Sequence, residues 1–334
     1  KTITELTYLD SMVDIVLKKY DISKIKDEKS GDLLTRTFTF ICNICYSSDE
    51  IRGKIAKKVS SIIFTQLSEF MKNYNMEVIY QREMLNSLLS FLSNLAVNLD
   101  FRKSLSKEKE FLKFLSENLL VELLQYELLK NINDADLDEF YEKVCSLFYN
   151  LSVIPGEEKS IIEYYHTIKI ESFCLYYVNQ RFSPKISRTI IPMLRTMMLL
   201  VRIVRSCPEV FSKEKNIKEI YPDIENLMDN SINLINLDLL KQDNRIVDNT
   251  VKFFAFLCKS SANEFLKQGN RMKKLTDNCC KMLLFDCGED ASKINKENYE
   301  RVVNMLSLLN SICTQYEERI PLMKCIVPLL INIC

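Results

Sequence analysis

Six basic residues and no acidic one lie between Ser172 and Pro208: Arg181, Lys185, Arg188, Arg195, Arg202 and Arg205. Guanidinium groups donate planar pairs of hydrogen bonds that match a carboxylate or a phosphate, so such a cluster suits capture of an acidic tail or a phosphate group. Arg181, Arg188, Arg195 and Arg202 are spaced by seven, and on one continuous helix a seven-residue step drifts only about 20°. Ser183-Pro184 reads as a helix N-cap with proline at the first helical position, and Pro192 kinks or restarts the helix. The set that shares one face is therefore Arg195, Arg202 and Arg205, with Met197, Met198, Leu199, Leu200, Val201, Ile203 and Val204 as the buried side. Tyr164, Tyr165, Tyr176 and Tyr177 lie nearby in sequence as an aromatic flank. The alternative is a solvated helix face paired with carboxylates of a neighbouring hairpin. Arginines at this spacing repel each other by only ~0.1–0.5 kcal/mol per pair in screened water, so they do not require a ligand.

Other reactive residue types lead nowhere comparable. Cys42-x-x-Cys45 is a lone CxxC, without two further ligands for zinc or a strand-to-helix context for redox work. His166 is the single histidine and no nucleophile turn surrounds it. Asp134-x-Asp136-x-Asp138 resembles the start of a calcium loop, yet Glu139 stands where glycine is needed and Cys145 where glutamate is needed. Those aspartates fit the start of a helix instead. The five glycines are isolated, which excludes a phosphate-cradling loop. The expectation is no catalytic residue, no metal, no cofactor and no enzymatic activity.

The 334 residues carry 45 basic and 45 acidic side chains and are 47% hydrophobic. That supports a sizeable core, and zero net charge argues against wrapping nucleic acid or an anionic membrane surface. No apolar run is long enough to span a bilayer. Twelve cysteines sit inside apolar helical patterns and not at framework spacing. They read as reduced and mostly buried, which points to a cytoplasmic setting, with nuclear or ciliary and cytoskeletal settings as alternatives. The start KTITELTYLD lacks an initiator methionine and a signal core, so the expectation is a piece of a longer chain.

Apolar spacing of three and four residues predicts helices over 3–20, 33–45, 51–71, 82–97, 111–129, 137–151, 161–178, 192–204, 224–240, 246–258, 272–284, 299–313 and 320–333. No stretch alternates with period two, so the fold class is all-α. Six helix ends share one pattern: FICNIC (40–45), FLSNLA (91–96), LFYNLS (147–152), LLVRIV (199–204), FFAFLC (253–258) and, offset by one, LNSICT (309–314). Anchored on Asn43, Asn94, Asn150, Arg202, Phe256 and Ser311, the steps are 51, 56, 52, 54 and 55 residues. Steps this regular mark stacked helical hairpins, none of which buries its apolar face alone. Cys45, Cys258 and Cys313 share one repeat position, filled elsewhere by Ala96 and Ser152, which fits a small packing residue.

These helix ends, followed eight or nine residues later by Arg52, Arg102 or Arg319, resemble the armadillo/HEAT-like helical-repeat superfamily. FLKQGNRMKKL (265–275) and IVPLL (326–330) resemble its Gly and Ile-Pro-x-Leu segment. The steps here are longer than the usual ~40–47 residues, and the glycine between helices is mostly absent. The resemblance implies one right-handed α-solenoid domain over 1–334 with about six units. It also implies that Asn43, Asn94 and Asn150 line a concave groove and hydrogen-bond a partner's backbone. The family's groove tryptophans are replaced by Thr39, Ser90 and Ser146, and an asparagine at a helix end has the alternative of bonding neighbouring backbone.

The function expected is a non-enzymatic protein-interaction scaffold that holds an extended or acidic partner segment through Asn43, Asn94, Asn150, Arg195, Arg202 and Arg205. Alternatives are an armadillo-type chaperone for a client such as myosin, or a structural subunit of a cytoskeletal or ciliary assembly. In the last case the apolar C-terminal run CIVPLLINIC would lie against a neighbour.

Overall fold

The computed structural model describes residues 8, 11, 13–18, 21–75, 77–118, 134–181, 190–207, 224–259, 266, 270–288 and 293–315. Among them there are helices and turns and no strand, so the chain is all-α. The chain divides into two compact units, Lys1–Lys169 and Ile170–Cys334.

In the first unit residues 13–18 are helical and a 3-10 turn spans Ile22–Lys24, and the longer helices described are α1 (Glu28–Ser47), α2 (Asp49–Asn73), α3 (Ile79–Leu95), α4 (Leu99–Leu105), α5 (Lys109–Lys113), α6 (Asp134–Leu151) and α7 (Glu158–Thr167). A π-helical turn, Phe114–Asn118, continues from α5. Their starts are written in local side chains. Asp27 accepts from the Ser30 amide, Ser48 from Ile51 and Asn98 from Phe101, each satisfying a donor the first helical turn leaves unpaired. The carboxylates from Asp134 do open a helix, as their position at α6 shows. The helices carrying the repeated pattern pack in chain order, α1 on α3 and α3 on α6, while α2 packs on α4 and α5. Phe38 and Phe91 stack at 5.3 Å between α1 and α3, and Phe148 meets Tyr165 edge-on at 5.0 Å.

The second unit holds α8 (Ile170–Arg181), α9 (Ile190–Ser206), α10 (Ile224–Leu234), α11 (Leu237–Gln242), α12 (Asn244–Lys259), α13 (Arg271–Cys287) and α14 (Tyr299–Gln315). Again the pattern-bearing helices are neighbours in chain order, α9 with α12 and α12 with α14. The intervening helices form their own row, α8 with α10 and α10 with α13.

Two predicted helices are broken. The run over 161–178 is divided between α7 and α8 by Lys169, whose φ of 57° is left-handed. A left-handed residue ends a helix, and here the Ser116 hydroxyl donates to the Ile168 carbonyl just before it. Apolar spacing alone carries no sign of this, because buried residues continue on both sides. The run over 224–240 is cut where Asn236 caps α11 by accepting from the Leu239 amide at 2.7 Å. Pro192 is the third residue of α9 as described, in a first turn where no intrahelical donor is needed. Residues 182–189 and 316–334, with Lys185, Arg188, Arg319 and the CIVPLLINIC run, lie outside the described residues.

All described cysteines are free thiols; Cys313 is half-buried and the others are buried. Burial pushes the Cys42 thiol up to about 12 and that of Cys45 to about 11. No described helix is long and apolar enough to cross a membrane.

Candidate partner-binding faces

Asparagines of the repeated pattern act mainly between helices. Asn94 is buried. Its carbonyl oxygen accepts from Arg52 Nε at 3.1 Å and its amide donates to the Cys42 carbonyl at 3.4 Å. Asn150, half-buried, donates to the Ser93 carbonyl at 3.0 Å and to the Ser93 hydroxyl at 3.2 Å. In both cases the amide reaches the preceding pattern-bearing helix, one residue before that helix's own asparagine. The Ser93 carbonyl belongs to the last turn of α3, where the ladder leaves acceptors unfilled, whereas the Cys42 carbonyl lies more than a turn inside α1. Asn94 and Asn150 therefore serve the α1–α3 and α3–α6 seams, not a groove open to a ligand. Asn43 differs: it is exposed on α1 and its side chain makes no hydrogen bond among the described residues.

The arginines after the pattern complete these seams. Arg52 donates from Nη2 to the Cys45 carbonyl at 2.9 Å and pairs with Asp49. Arg102 donates from Nη1 to the Val153 carbonyl at 3.0 Å and from Nη2 to the Val97 carbonyl at 3.0 Å. Of the groove positions one turn earlier, Thr39 and Ser90 donate their hydroxyls to carbonyls of their own helices.

Arg195, Arg202 and Arg205 do share one face of α9, together with exposed Ile191 and half-buried Met198. A heptad step on an α-helix advances about 10.5 Å along the axis, which sets the Arg195–Arg202 separation at two turns. The other positions from Met193 through Val204 are buried and apolar except Thr196, whose hydroxyl donates to the Pro192 carbonyl. Because that core fixes the helix, the stripe is held rigidly. Arg195 is half-buried; its Nη1 meets only the Met198 sulfur, at 3.9 Å, and its Nε has no acceptor. Arg205 is exposed, with its guanidinium carbon 5.9 Å from the centre of the Phe256 ring. Lys259 stands over the same ring at 5.8 Å. Phe256 is half-exposed on α12, so an aromatic plate carries two cations.

The sequence marks Phe256 only as a repeat anchor and gives Lys259 no role. The signal was available: Phe256 occupies the repeat position of Arg202, and a side chain at that position on a neighbouring helix must lie alongside. The predicted tyrosine flank is used elsewhere. Tyr164 donates to the Lys109 carbonyl at 2.7 Å and buried Tyr165 to the Phe148 carbonyl at 2.7 Å. Tyr177 is buried, and the Tyr176 side chain, like those of Arg181 and Arg188, lies outside the described residues.

Other arginines make the contrast. Arg36 pairs with Asp32, Arg245 with Asp243, and Arg271 with Asp229 and Glu225. Buried Arg301 donates from Nε to Asp286 at 2.7 Å and from Nη1 to Asp248 at 2.8 Å. Among the described residues no carboxylate pairs with Arg195 or Arg205. Among the described residues no three His, Cys, Asp or Glu side chains converge as metal ligands. Neither a family model nor a curated protein matches this chain.

Proposed function

We propose that the chain is a non-enzymatic protein-binding scaffold, an armadillo/HEAT-like α-solenoid whose arginine face takes an acidic segment of another protein. The repeat reading is supported by the pattern-bearing helices being neighbours in chain order within each unit. The observation that carries the binding role is the pair Arg195 and Arg205. Among the described residues they meet no carboxylate, whereas Arg36, Arg52, Arg245, Arg271 and Arg301 are all paired within the chain. Lys259 and the Phe256 plate extend the same surface. A carboxylate reaching Arg195 would supply the acceptor its half-buried guanidinium lacks, and an aliphatic or aromatic side chain of the segment would cover Phe256. The asparagine part of the expected mechanism narrows to Asn43, because Asn94 and Asn150 are engaged between helices.

The test is titration of the chain into a fluorescent Glu-rich peptide, with salt as a second variable. Replacing Arg195 and Arg205 by alanine is expected to weaken binding by about tenfold or more, since charge-assisted hydrogen bonds contribute roughly 1.5–3 kcal/mol each. Binding that is absent in the parent chain, or unchanged in the variant at equal helicity, sinks the proposal.

A further inference from the structure

The arginine face is built on two helices, and their register sets a spacing. The repeat step of 54 carries Arg195, Met198, Arg202 and Arg205 of α9 onto Asn249, Lys252, Phe256 and Lys259 of α12. Each of these side chains is half-buried or exposed, and α9 packs on α12. Arg205 and Lys259 approach the one Phe256 ring, at 5.9 and 5.8 Å, so the C-terminal ends of the two helices lie side by side. The two rows therefore run in parallel.

Charge is not spread evenly over this face. Lys252 pairs with Glu300 of α14 at 2.8 Å, and the Asn249 amide donates to the Arg245 carbonyl at 2.8 Å. Met198 is neutral, with its sulfur against Arg195 Nη1. Cations that meet no carboxylate among the described residues stand at two places, Arg195 at one end and Arg205 with Lys259 at the other. Arg195 and Arg205 are ten residues apart, about 15 Å along the helix axis.

That distance discriminates between shapes of ligand. An extended chain advances roughly 3.3 Å per residue and turns alternate side chains to one side. Residues four apart thus span about 13 Å and point the same way, and the long arginine arms cover the small remainder. Residues five apart reach as far but point to opposite sides. A helical ligand would need carboxylates about ten residues apart and an apolar groove to lie in. Between its cationic ends this face offers two apolar side chains, Met198 and Phe256.

We propose, resting on the acidic-segment reading above, that the face selects an extended stretch of the form acid-x-apolar-x-acid. One carboxylate accepts hydrogen bonds from Arg195, and the other from Arg205 and Lys259 beside the Phe256 ring. The middle side chain, two residues from each acid, packs at the level of Met198. A third acid there would gain nothing from Lys252, whose charge Glu300 already balances.

Fluorescence titration at low ionic strength with labelled Gly/Ser peptides of one length tests it. Each peptide carries two glutamates with one leucine between them, and only the separation of the glutamates changes. The peptide with glutamates four residues apart is expected to bind about fivefold to tenfold tighter than those with two, five or ten, which engage one cationic end at a time. Arg205→Ala with Lys259→Ala is expected to erase that preference, because a single cationic end remains. Both positions are exposed, and an unchanged melting temperature verifies the fold of the variant. Equal affinity at every separation, with binding still lost in Arg195→Ala/Arg205→Ala, overturns the spacing and leaves the acidic-segment reading standing. A preference for ten residues overturns it in favour of a helical ligand, as does any preference that survives the loss of Arg205 and Lys259. Binding by none of the peptides overturns the spacing and the acidic-segment reading together.

Discussion

The two units solve one problem with different chemistry. Each must tie successive pattern-bearing helices together at their ends. Unit 1 does so by hydrogen bonds to neutral groups, Asn94 and Asn150 reaching carbonyls of the preceding helix and Arg52 and Arg102 donating to an amide oxygen and to carbonyls. Unit 2 does so with charge: Arg301 of α14 joins Asp248 of α12 to Asp286 of α13, and Arg271 of α13 joins Asp229 and Glu225 of α10. Unit 1 carries 22 basic and 26 acidic residues against 23 and 19 in unit 2. A unit that consumes its carboxylates in internal ion pairs, and is short of them, leaves arginines over. Arg195 and Arg205, which meet no carboxylate among the described residues, are that remainder, and this is why the proposed binding surface falls in unit 2.

The largest effect expected from breaking this contrast is at Arg301. Arg301→Met leaves the buried Asp286 carboxylate without its partner, a loss of about 3–5 kcal/mol for a buried pair. Urea unfolding with hydrogen exchange should show the loss in α12–α14, and an unchanged midpoint would mean that the cluster is not what ties these helices. The matching change in unit 1 is smaller. Asn94→Leu leaves Arg52 Nε without an acceptor, and roughly 1–3 kcal/mol is expected to be lost, concentrated in α1–α3.

The smallest effect is acid dependence. Arg245, by a side-chain hydrogen bond first and by its charge besides, holds the Asp243 carboxyl below its usual value of 3.8. The stability this adds is present above the unfolded value and disappears as pH falls through the lower folded one. Thermal unfolding of Asp243→Asn should therefore differ from the parent near neutrality and converge with it in strong acid. A difference that persists in strong acid would assign the loss to the hydrogen bond that the Arg245 amide donates to the Asp243 side chain.

Much of the architecture was legible in the sequence because helix periodicity is local. The motif ends FICNIC and FLSNLA each fall in a helix, and within each unit such helices pack side by side. The break at Lys169 was not legible, because nothing in apolar spacing records a backbone reversal between two buried segments. The roles of the asparagines were legible in kind but not in direction. An amide at a helix end serves a guest's backbone or the next helix equally well, and only placement decides. Arg301 was missed for the same reason: its carboxylates lie 15 and 53 residues away, beyond any spacing rule.

The buried thiols have a practical consequence. Desolvation pushes the Cys258 group up to about 12, and alkylating reagents attack only the thiolate. Closed helices therefore protect it twice, by exclusion and by protonation. Its alkylation rate becomes a clock for opening of the α12 end, readable by mass spectrometry without any engineered probe. Cys45, occupying the equivalent repeat position in α1, provides the same clock for the first unit. Run in one tube, the two reactions time the amide-tied and the charge-tied seams against each other.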